Sequence, residues 1–317
     1  MPKYRTDLPQ LKGGTFLSDG GIETTLIFHH GLDLPHFASF VLLNTPEGRR
    51  HLTDYYEQYL RVARDRGVGF ILDSATWRAN PDWGTKLGYG REALSTINAA
   101  SIALLQDLRK RWETPATPCV ISGAIGPRGD GYKAGRMDAA EAEDYHAEQI
   151  ETFAKTEADM VSAYTLNNVH EAIGVARAAE AHKMPCAIAF TVETDGKLVT
   201  GLSLREAIEK VDHATGAYPA YYLINCAHPA HFDHILKAGE PWLQRIFGIK
   251  ANASTKSHAE LDESETLDAG DPQDLARRYD ALRHRLPSLR ILGGCCGTDH
   301  RHVAAICDGW LPHRLSA

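Results

Sequence analysis

The sequence has few cysteines, no long hydrophobic run and no excess of positive charge. Six cysteines in 317 residues are too sparse for a disulfide-held scaffold, so we expect them to be reduced or to bind a ligand. No apolar run approaches the ~20 residues of a membrane-spanning helix, and residues 1–7 lack the apolar centre of a signal peptide. Lys and Arg number 34 against 41 Asp and Glu, and no basic cluster indicates nucleic-acid binding. We therefore expect a cytoplasmic protein that binds neither membranes nor nucleic acid.

Two further absences concern the domain organisation. No stretch rich in proline, glycine and serine divides the chain into halves. The segment Asp19-Gly20-Gly21 is not the G-x-G-x-x-G fingerprint that a dinucleotide-binding fold carries after its first strand. The apolar fraction of 43 % is large enough for a sizeable core. We predict one domain over residues 1–317, with residues 1–14 forming a short N-terminal extension.

Short apolar runs rich in β-forming residues alternate with longer helical patterns. Eight such runs are present, at residues 15–17, 68–72, 119–121, 160–164, 186–192, 221–224, 246–249 and 291–292. Helical spacing of apolar residues follows, for example over residues 47–66 behind Thr45-Pro46, and Ser203 with Glu206 has the pattern of a capping box. Eight strand–helix units predict a single TIM-type (β/α)8 barrel, with its active site at the C-terminal ends of the strands.

Three of the cysteines fall at predicted strand ends. Cys226 follows the sixth strand, and Cys295 and Cys296 follow the eighth, flanked by glycines that allow both side chains to turn toward one point. Three thiolates with one open position form a ligand set that zinc accepts, and soft sulfur ligands favour zinc over magnesium or calcium. The alternatives are a redox pair formed by Cys295 and Cys296, or small packing residues. We expect packing roles for the other three cysteines, which lie within predicted strands or helices.

Other side chains near Cys226 could be mistaken for ligands. His228, His231 and His234 follow it at three-residue spacing, but a chain with 16 histidines produces such spacing by chance. We expect them to be surface or helix-packing residues. A zinc held by three cysteines has room for an incoming thiol, which becomes a thiolate on binding. The predicted chemistry is attack by a metal-bound substrate thiolate on an electrophilic carbon.

Several segments together resemble one known family. Ser18-Asp19-Gly20-Gly21, Asn225-Cys226, Gly293-Gly294-Cys295-Cys296-Gly297-Thr298 and residues 123–127 are similar to motifs of the zinc-dependent homocysteine S-methyltransferases. That family is a TIM barrel that uses S-methylmethionine, betaine or related methyl donors. The resemblance implies that Cys226, Cys295 and Cys296 are zinc ligands.

The resemblance also implies roles in substrate binding. Asp19 would hold the amino group of the acceptor, and the backbone at Gly20 and Gly21 would meet its carboxylate. Thr76 and Trp77 stand where the family commonly has Thr-Tyr beside the methyl donor.

Two positions depart from the family pattern. Tyr164 stands where many members have a glutamate that binds the ammonium of homocysteine. Glu193, after the next strand, either replaces that carboxylate or is a solvated loop charge. Lys250-Ala251 replaces a common Tyr-Pro pair, and only Asn252 of that motif is kept.

The sequence thus predicts a zinc-dependent S-methyltransferase. It would move a methyl group from a sulfonium or ammonium donor, with S-methylmethionine as the first candidate, to the zinc-bound thiolate of homocysteine, giving methionine. The alternatives are the same barrel and zinc site with a different thiol or selenol acceptor, and a redox protein that uses Cys295 and Cys296. The partners would be a small-molecule thiol acceptor and a methyl donor, and a homo-oligomer is left open.

Overall fold

Eight parallel strands close into a barrel in the order of the sequence. The computed structural model describes residues 1–264 and 266–311. Its strands are β1 (Phe16–Leu17), β2 (Gly69–Asp73), β3 (Cys119–Ile125), β4 (Met160–Leu166), β5 (Cys186–Phe190), β6 (Tyr221–Asn225), β7 (Ile246–Ala251) and β8 (Ile291–Gly294). Phe16 pairs with Gly69 on β2 and with Ile291 on β8, which closes the barrel. The predicted barrel is confirmed, and all eight predicted strands are present.

Helices cover the outside of the barrel. The longer ones are α1 (Pro46–Arg66), α2 (Arg91–Trp112), α3 (Ala139–Ala154), α4 (Val169–Ala181), α5 (Leu204–Thr215), α6 (Pro272–Leu282) and α7 (His300–Trp310). Shorter helical segments are Pro9–Leu11, Ile22–Thr24, Thr25–His29, Pro35–Phe37, Ser39–Asn44, Pro81–Lys86, Pro229–Phe232, Asp233–Ile235, Pro241–Arg245 and His258–Asp262. The connection from β6 to β7 therefore contains short helical turns in place of a full helix.

Local sequence signals fix the ends of these helices. The Thr45 side chain accepts a hydrogen bond from the Gly48 N–H ahead of α1, and Gly67 ends that helix with a φ of 64°. The predicted capping box of Ser203 and Glu206 begins α5. These residues therefore set where α1 begins and ends and where α5 begins.

Alternate strand residues fill the barrel interior. They form one apolar cluster, which includes Phe16, Ile71, Val120, Ala124, Met160, Tyr164, Ala187, Ala189, Tyr221, Leu223 and Ile291. Leu8 joins this cluster from below, and Gln10 Nε2 donates to the Tyr221 hydroxyl over 3.3 Å, so the N-terminal segment closes the bottom of the barrel. The opposite rim, at the C-terminal strand ends, carries the chemistry described below. Among the described residues, no helix is long and apolar enough to cross a membrane.

Candidate active site

Three cysteine sulfurs lie together at the C-terminal rim. Cys226 follows β6, and Cys295 and Cys296 follow β8. Their Sγ atoms lie within 4.8 Å of one another, and we call these three residues the sulfur cluster. Cys226 and Cys295 form a disulfide in this structure, with Cα atoms 5.3 Å apart. The structure therefore brings together the three predicted cysteines, and the bonded pair is not the Cys295–Cys296 pair of the redox alternative.

Hydrogen bonds hold the two turns that carry these sulfurs. Cys226 has a φ of 52°, a left-handed conformation that residues other than glycine rarely adopt. Its N–H donates to the carbonyl oxygen of Lys250 over 3.0 Å, and Asn252 Nδ2 donates to its carbonyl oxygen over 3.0 Å. Thr298 Oγ1 donates to the carbonyl oxygen of Cys295 over 2.8 Å. Asn252 thus acts here by holding the Cys226 turn.

Two polar side chains point at the Cys226 sulfur. Asn225 Nδ2 donates to Cys226 Sγ over 3.4 Å, and Thr165 Oγ1 donates to it over 3.8 Å. Asn225 also accepts from the Thr165 N–H over 2.9 Å, so the two donors hold each other in place. Hydrogen-bond donors around a sulfur stabilise its thiolate form and orient it as a ligand.

The donor set fits a soft metal ion. Three thiolates that converge from two strand ends can occupy three corners of a tetrahedron, and the fourth stays open for a substrate. A metal binds cysteines as thiolates, and disulfide formation oxidises two of them. The metal-binding form of the sulfur cluster is therefore the reduced one.

A buried group of charges lies next to the sulfur cluster, inside the barrel. Lys250 Nζ lies 2.6 Å from Asp19 Oδ1 and 3.2 Å from Asp73 Oδ2, and the Tyr164 hydroxyl donates to Asp73 Oδ2 over 2.7 Å. Each of these four residues is less than a tenth exposed, and we call them the charge network. The Tyr55 hydroxyl donates to Asp19 Oδ2 over 3.1 Å.

Burial and mutual attraction shift the pKa values of this network in different ways. Burial raises the pKa of Asp19, against the lowering effect of Lys250. For Lys250, burial lowers the pKa, but Asp19 and Asp73 outweigh it and the net direction is upward. Lys250 is therefore an ammonium at neutral pH. The sequence showed Lys250 only as a departure from the family pattern, and it placed Asp73 at the end of a strand without indicating a role for it.

The predicted contacts of Gly20 and Gly21 are partly taken by the chain itself. The Gly21 N–H donates to the carbonyl oxygen of Thr298 over 3.0 Å. A Cβ on Gly21 would lie 2.6 Å from the carbonyl oxygen of Cys295, and one on Gly20 would lie 2.7 Å from the Tyr59 hydroxyl. The two glycines therefore permit close packing of the β1 and β8 ends, which supports the sulfur cluster.

Thr76 and Trp77 follow β2 in different environments. Thr76 is fully buried, and its Oγ1 donates to the carbonyl oxygen of Ala124 over 2.7 Å, so it braces the wall of the barrel. Trp77 is partly exposed, and its Nε1 donates to the carbonyl oxygen of Tyr164 over 3.4 Å. Thr165, the next residue, contacts the Cys226 sulfur, so the indole is bonded to the same end of β4 that contacts the sulfur cluster.

Glu193 lies in a tight turn after β5. Its N–H donates to the carbonyl oxygen of Lys197 over 2.7 Å, and the Gly196 N–H donates to the carbonyl oxygen of Glu193 over 2.9 Å. Burial, with Asp195 nearby, raises the pKa of its carboxyl group. Among the described contacts, its carboxylate makes no hydrogen bond to the charge network. The structure thus does not bring it together with Asp19.

Arg78 is a buried cation that sequence reasoning missed. Its guanidinium lies 4.0 Å from the Trp77 ring centroid and 3.8 Å from that of Trp83, and the residue is 9 % exposed. Nη1 donates to the carbonyl oxygen of Gly129 over 3.2 Å, while Nε is buried without a hydrogen-bond partner. Burial lowers its pKa to about 10, so it remains charged at neutral pH. The two tryptophans flanking an arginine in the sequence were the available signal.

The remaining histidines and cysteines lie outside the sulfur cluster. His228 Nδ1 accepts from the N–H of Ala230, His231 bonds through its ring to the carbonyl oxygen of Thr255, and His234 is half exposed. The three other cysteines are buried, as predicted, at Cys119, Cys186 and Cys307. Burial raises the pKa of each of these thiols to about 12, so they are neutral packing residues.

Sequence comparisons relate this chain to one family of known proteins. The family model described as homocysteine S-methyltransferase matches residues 16–309. Homocysteine S-methyltransferase 2 of Arabidopsis thaliana is 22% identical over 95% of this chain and 94% of its own. Selenocysteine Se-methyltransferase of Brassica oleracea var. italica is 22% identical over 93% of this chain and 88% of its own.

Solved structures share the barrel. The metallated form of the homocysteine methyltransferase MmuM from Escherichia coli superposes with a TM-score of 0.72 at 19% identity, over 96% of this chain and 99% of that one. Its oxidised form gives a TM-score of 0.71 at 20% identity over the same shares of the two chains. The family model supports methyl transfer to a homocysteine-like acceptor, and the redox alternative is not favoured. Because the family model covers nearly the whole chain, this protein belongs to the homocysteine S-methyltransferase family and is a methyltransferase enzyme.

Proposed function

We propose that the protein uses zinc at the sulfur cluster to move a methyl group from a sulfonium or ammonium donor to the thiolate of a homocysteine-like acceptor. S-methylmethionine is the first donor to test, and homocysteine, with methionine as product, is the first acceptor. The observation that carries the proposal is the convergence of three sulfurs within 4.8 Å on the rim where barrel enzymes place their chemistry.

Each group at the rim has a task in this reaction. Cys226, Cys295 and Cys296 would hold the metal, which, when bound, would lower the pKa of the acceptor thiol so that it is held as a thiolate. Asn225 and Thr165 fix the Cys226 sulfur through their hydrogen bonds. Trp77 is partly exposed, and the part of its ring that the Arg78 guanidinium leaves uncovered would suit a donor whose positive charge adjoins the methyl group.

The transfer itself is a displacement at carbon. The thiolate sulfur forms a bond to the methyl carbon while the bond from that carbon to the donor sulfur or nitrogen breaks, and the leaving group takes the electron pair. The chain's contribution is to orient the two substrates in line and to exclude water, which can account for several orders of magnitude in rate.

Mass-spectrometric detection of the product tests the proposal. Reduced, zinc-loaded protein receives homocysteine and, separately, S-methylmethionine, betaine, dimethylsulfoniopropionate or S-adenosylmethionine. Methylated thiol above a no-enzyme control is the expected result, and its absence with every donor and with other thiol acceptors would contradict the proposal.

A pair of variants links turnover to the metal. Cys295→Ala should lose both bound zinc and turnover because one of three ligands is gone. Cys307→Ala, which changes a buried cysteine on α7, should keep both. Turnover retained by Cys295→Ala would sink the role assigned to the sulfur cluster.

A further inference from the structure

The charge network surrounds a lysine ammonium with the groups that proteins use to bind an amino group. Lys250 Nζ lies 2.6 Å from one carboxylate oxygen, 3.2 Å from another, and 4.8 Å from the centroid of the Tyr164 ring. Carboxylates and an aromatic face are strong partners for an ammonium ion. The protein therefore supplies its own ammonium to this position.

This position lies on the strand ends that lead into the sulfur cluster. Lys250 is paired in register with Asn225 on β6 and with Gly293 on β8, and these two strands lead into the cysteines. The Gly294 N–H also donates to the carbonyl oxygen of Asp19 over 2.9 Å. A short thiol held at the sulfur cluster therefore has its carbon chain within reach of the charge network.

The charge network has no further carboxylate to balance a second ammonium group, such as that of a substrate. Beside Lys250 it would meet a like charge, and if it displaced Nζ it would leave a buried lysine without its partners. Hydroxyl groups already support both carboxylates, with Tyr55 donating to Asp19 and Tyr164 donating to Asp73. Asp73 Oδ1 is buried and has no hydrogen-bond partner, so it can accept from a neutral donor without any added charge.

We propose that the preferred acceptor is a thiol acid without a free α-ammonium group. It keeps the thiol, the carbon chain and the carboxylate of homocysteine, and it carries hydrogen or a hydroxyl where homocysteine carries its amino group. This inference rests on the proposed function and changes one group of its acceptor. Lys250 is the residue that determines this specificity, since its Nζ occupies the place that the α-ammonium group of homocysteine would otherwise take.

Binding to the wild-type protein tests the inference without a methyl donor. Calorimetric titration of reduced, zinc-loaded protein compares 4-mercaptobutanoate with homocysteine, which differ only in the amino group. The thioethers 4-(methylthio)butanoate and methionine repeat the comparison with zinc-free protein. We expect each compound without the amino group to bind at least about tenfold tighter. Equal or tighter binding of homocysteine and methionine would overturn the inference and assign their ammonium to Asp73 Oδ1.

Turnover separates this inference from the proposed function. Transfer to homocysteine with a higher kcat/KM than to 4-mercaptobutanoate contradicts the inference and keeps the methyltransferase proposal. If the compounds without the amino group bind more tightly but no thiol is methylated, the inference is supported. The same result contradicts the proposed donors and metal chemistry.

A double variant should reverse the preference. Lys250→Met with Asp73→Asn removes one positive and one negative charge, so the net charge is unchanged while the Asp19 carboxylate becomes free to bind an ammonium. We expect the ratio of affinities to move toward homocysteine by at least about tenfold. The same two substitutions at an exposed pair on α2, Lys110→Met with Asp107→Asn, serve as the matched control and should leave the ratio unchanged. An unchanged ratio in a folded double variant would overturn the inference, and the wild-type titrations decide it if that variant does not fold.

Discussion

Asn225 offers a direct test of how the barrel prepares the Cys226 sulfur. Its Nδ2 donates to Cys226 Sγ over 3.4 Å and to Thr165 Oγ1 over 3.0 Å, while its Oδ1 accepts from the Thr165 N–H over 2.9 Å. Asn225→Asp keeps the shape and the acceptor but replaces the donor at the sulfur with a carboxylate oxygen. The Thr165 hydroxyl has a single proton, so if it turns to donate to that oxygen, its own hydrogen bond to Cys226 Sγ is lost as well.

The expected magnitude follows from the loss of one or both of these hydrogen bonds to the sulfur. A hydrogen bond to a charged group contributes about 1.5–3 kcal/mol, which corresponds to roughly 10–100-fold in a binding constant. Outer partners of metal ligands have effects of similar size, about 10–100-fold. We therefore expect zinc affinity to fall by roughly 10–100-fold, with turnover lost in proportion at limiting zinc.

Competition with a chromophoric chelator measures this affinity on reduced protein, with thiol counts to confirm reduction. Asn98→Asp is the matched control because Asn98 is equally buried and its Nδ2 donates to two carbonyl oxygens, those of Ala79 and Leu94. It should lower stability without changing zinc affinity. If Asn225→Asp binds zinc as tightly as the wild type, the hydrogen bond does not orient the sulfur and the reasoning fails.

Three more predictions concern the rim, the capping of α7 and the barrel wall. Oxidation of the sulfur cluster to its disulfide should release zinc, and reduction should restore it, as measured by metal content; retention of zinc by fully oxidised protein would refute this. Hydrogen bonds from His302 and Arg301 outweigh burial and lower the pKa of Asp299, so its contribution to stability should be complete above its unfolded pKa of about 4 and be lost as the pH falls. The gap in unfolding free energy between wild type and Asp299→Asn should therefore narrow below about pH 4, and a gap independent of pH would contradict it. Gly69→Ala should destabilise the barrel by about 1–3 kcal/mol, because a Cβ there would lie 2.2 Å from the Phe16 ring. The control Gly90→Ala, whose Cβ would meet nothing within 4 Å, should change the stability little. Equal melting temperatures for the two variants would contradict this prediction.

The barrel and the grouping of the three cysteines could both be predicted from the sequence. Apolar runs of strand length alternate with helical spacing, and this order admits few architectures, because parallel strands need a long crossover between them. A strand end is readable from sequence as the point where an apolar run stops. Cys226 and Cys295-Cys296 could therefore be assigned to one rim before any coordinates were known.

Tertiary structure alone decided which charges meet. Asp19, Asp73 and Lys250 are far apart in the sequence, and their contacts depend on the strand register and on which way each side chain points. A shift of one residue would turn each of these side chains to the other face of its strand. The sequence suggested Asp19 and Glu193 as partners for a substrate, whereas the fold pairs Asp19 with Lys250 and holds Glu193 in a separate turn. The spacing of apolar residues indicates which face of a helix or strand is buried. The charged side chains that pair across the barrel can be identified only once the barrel is closed.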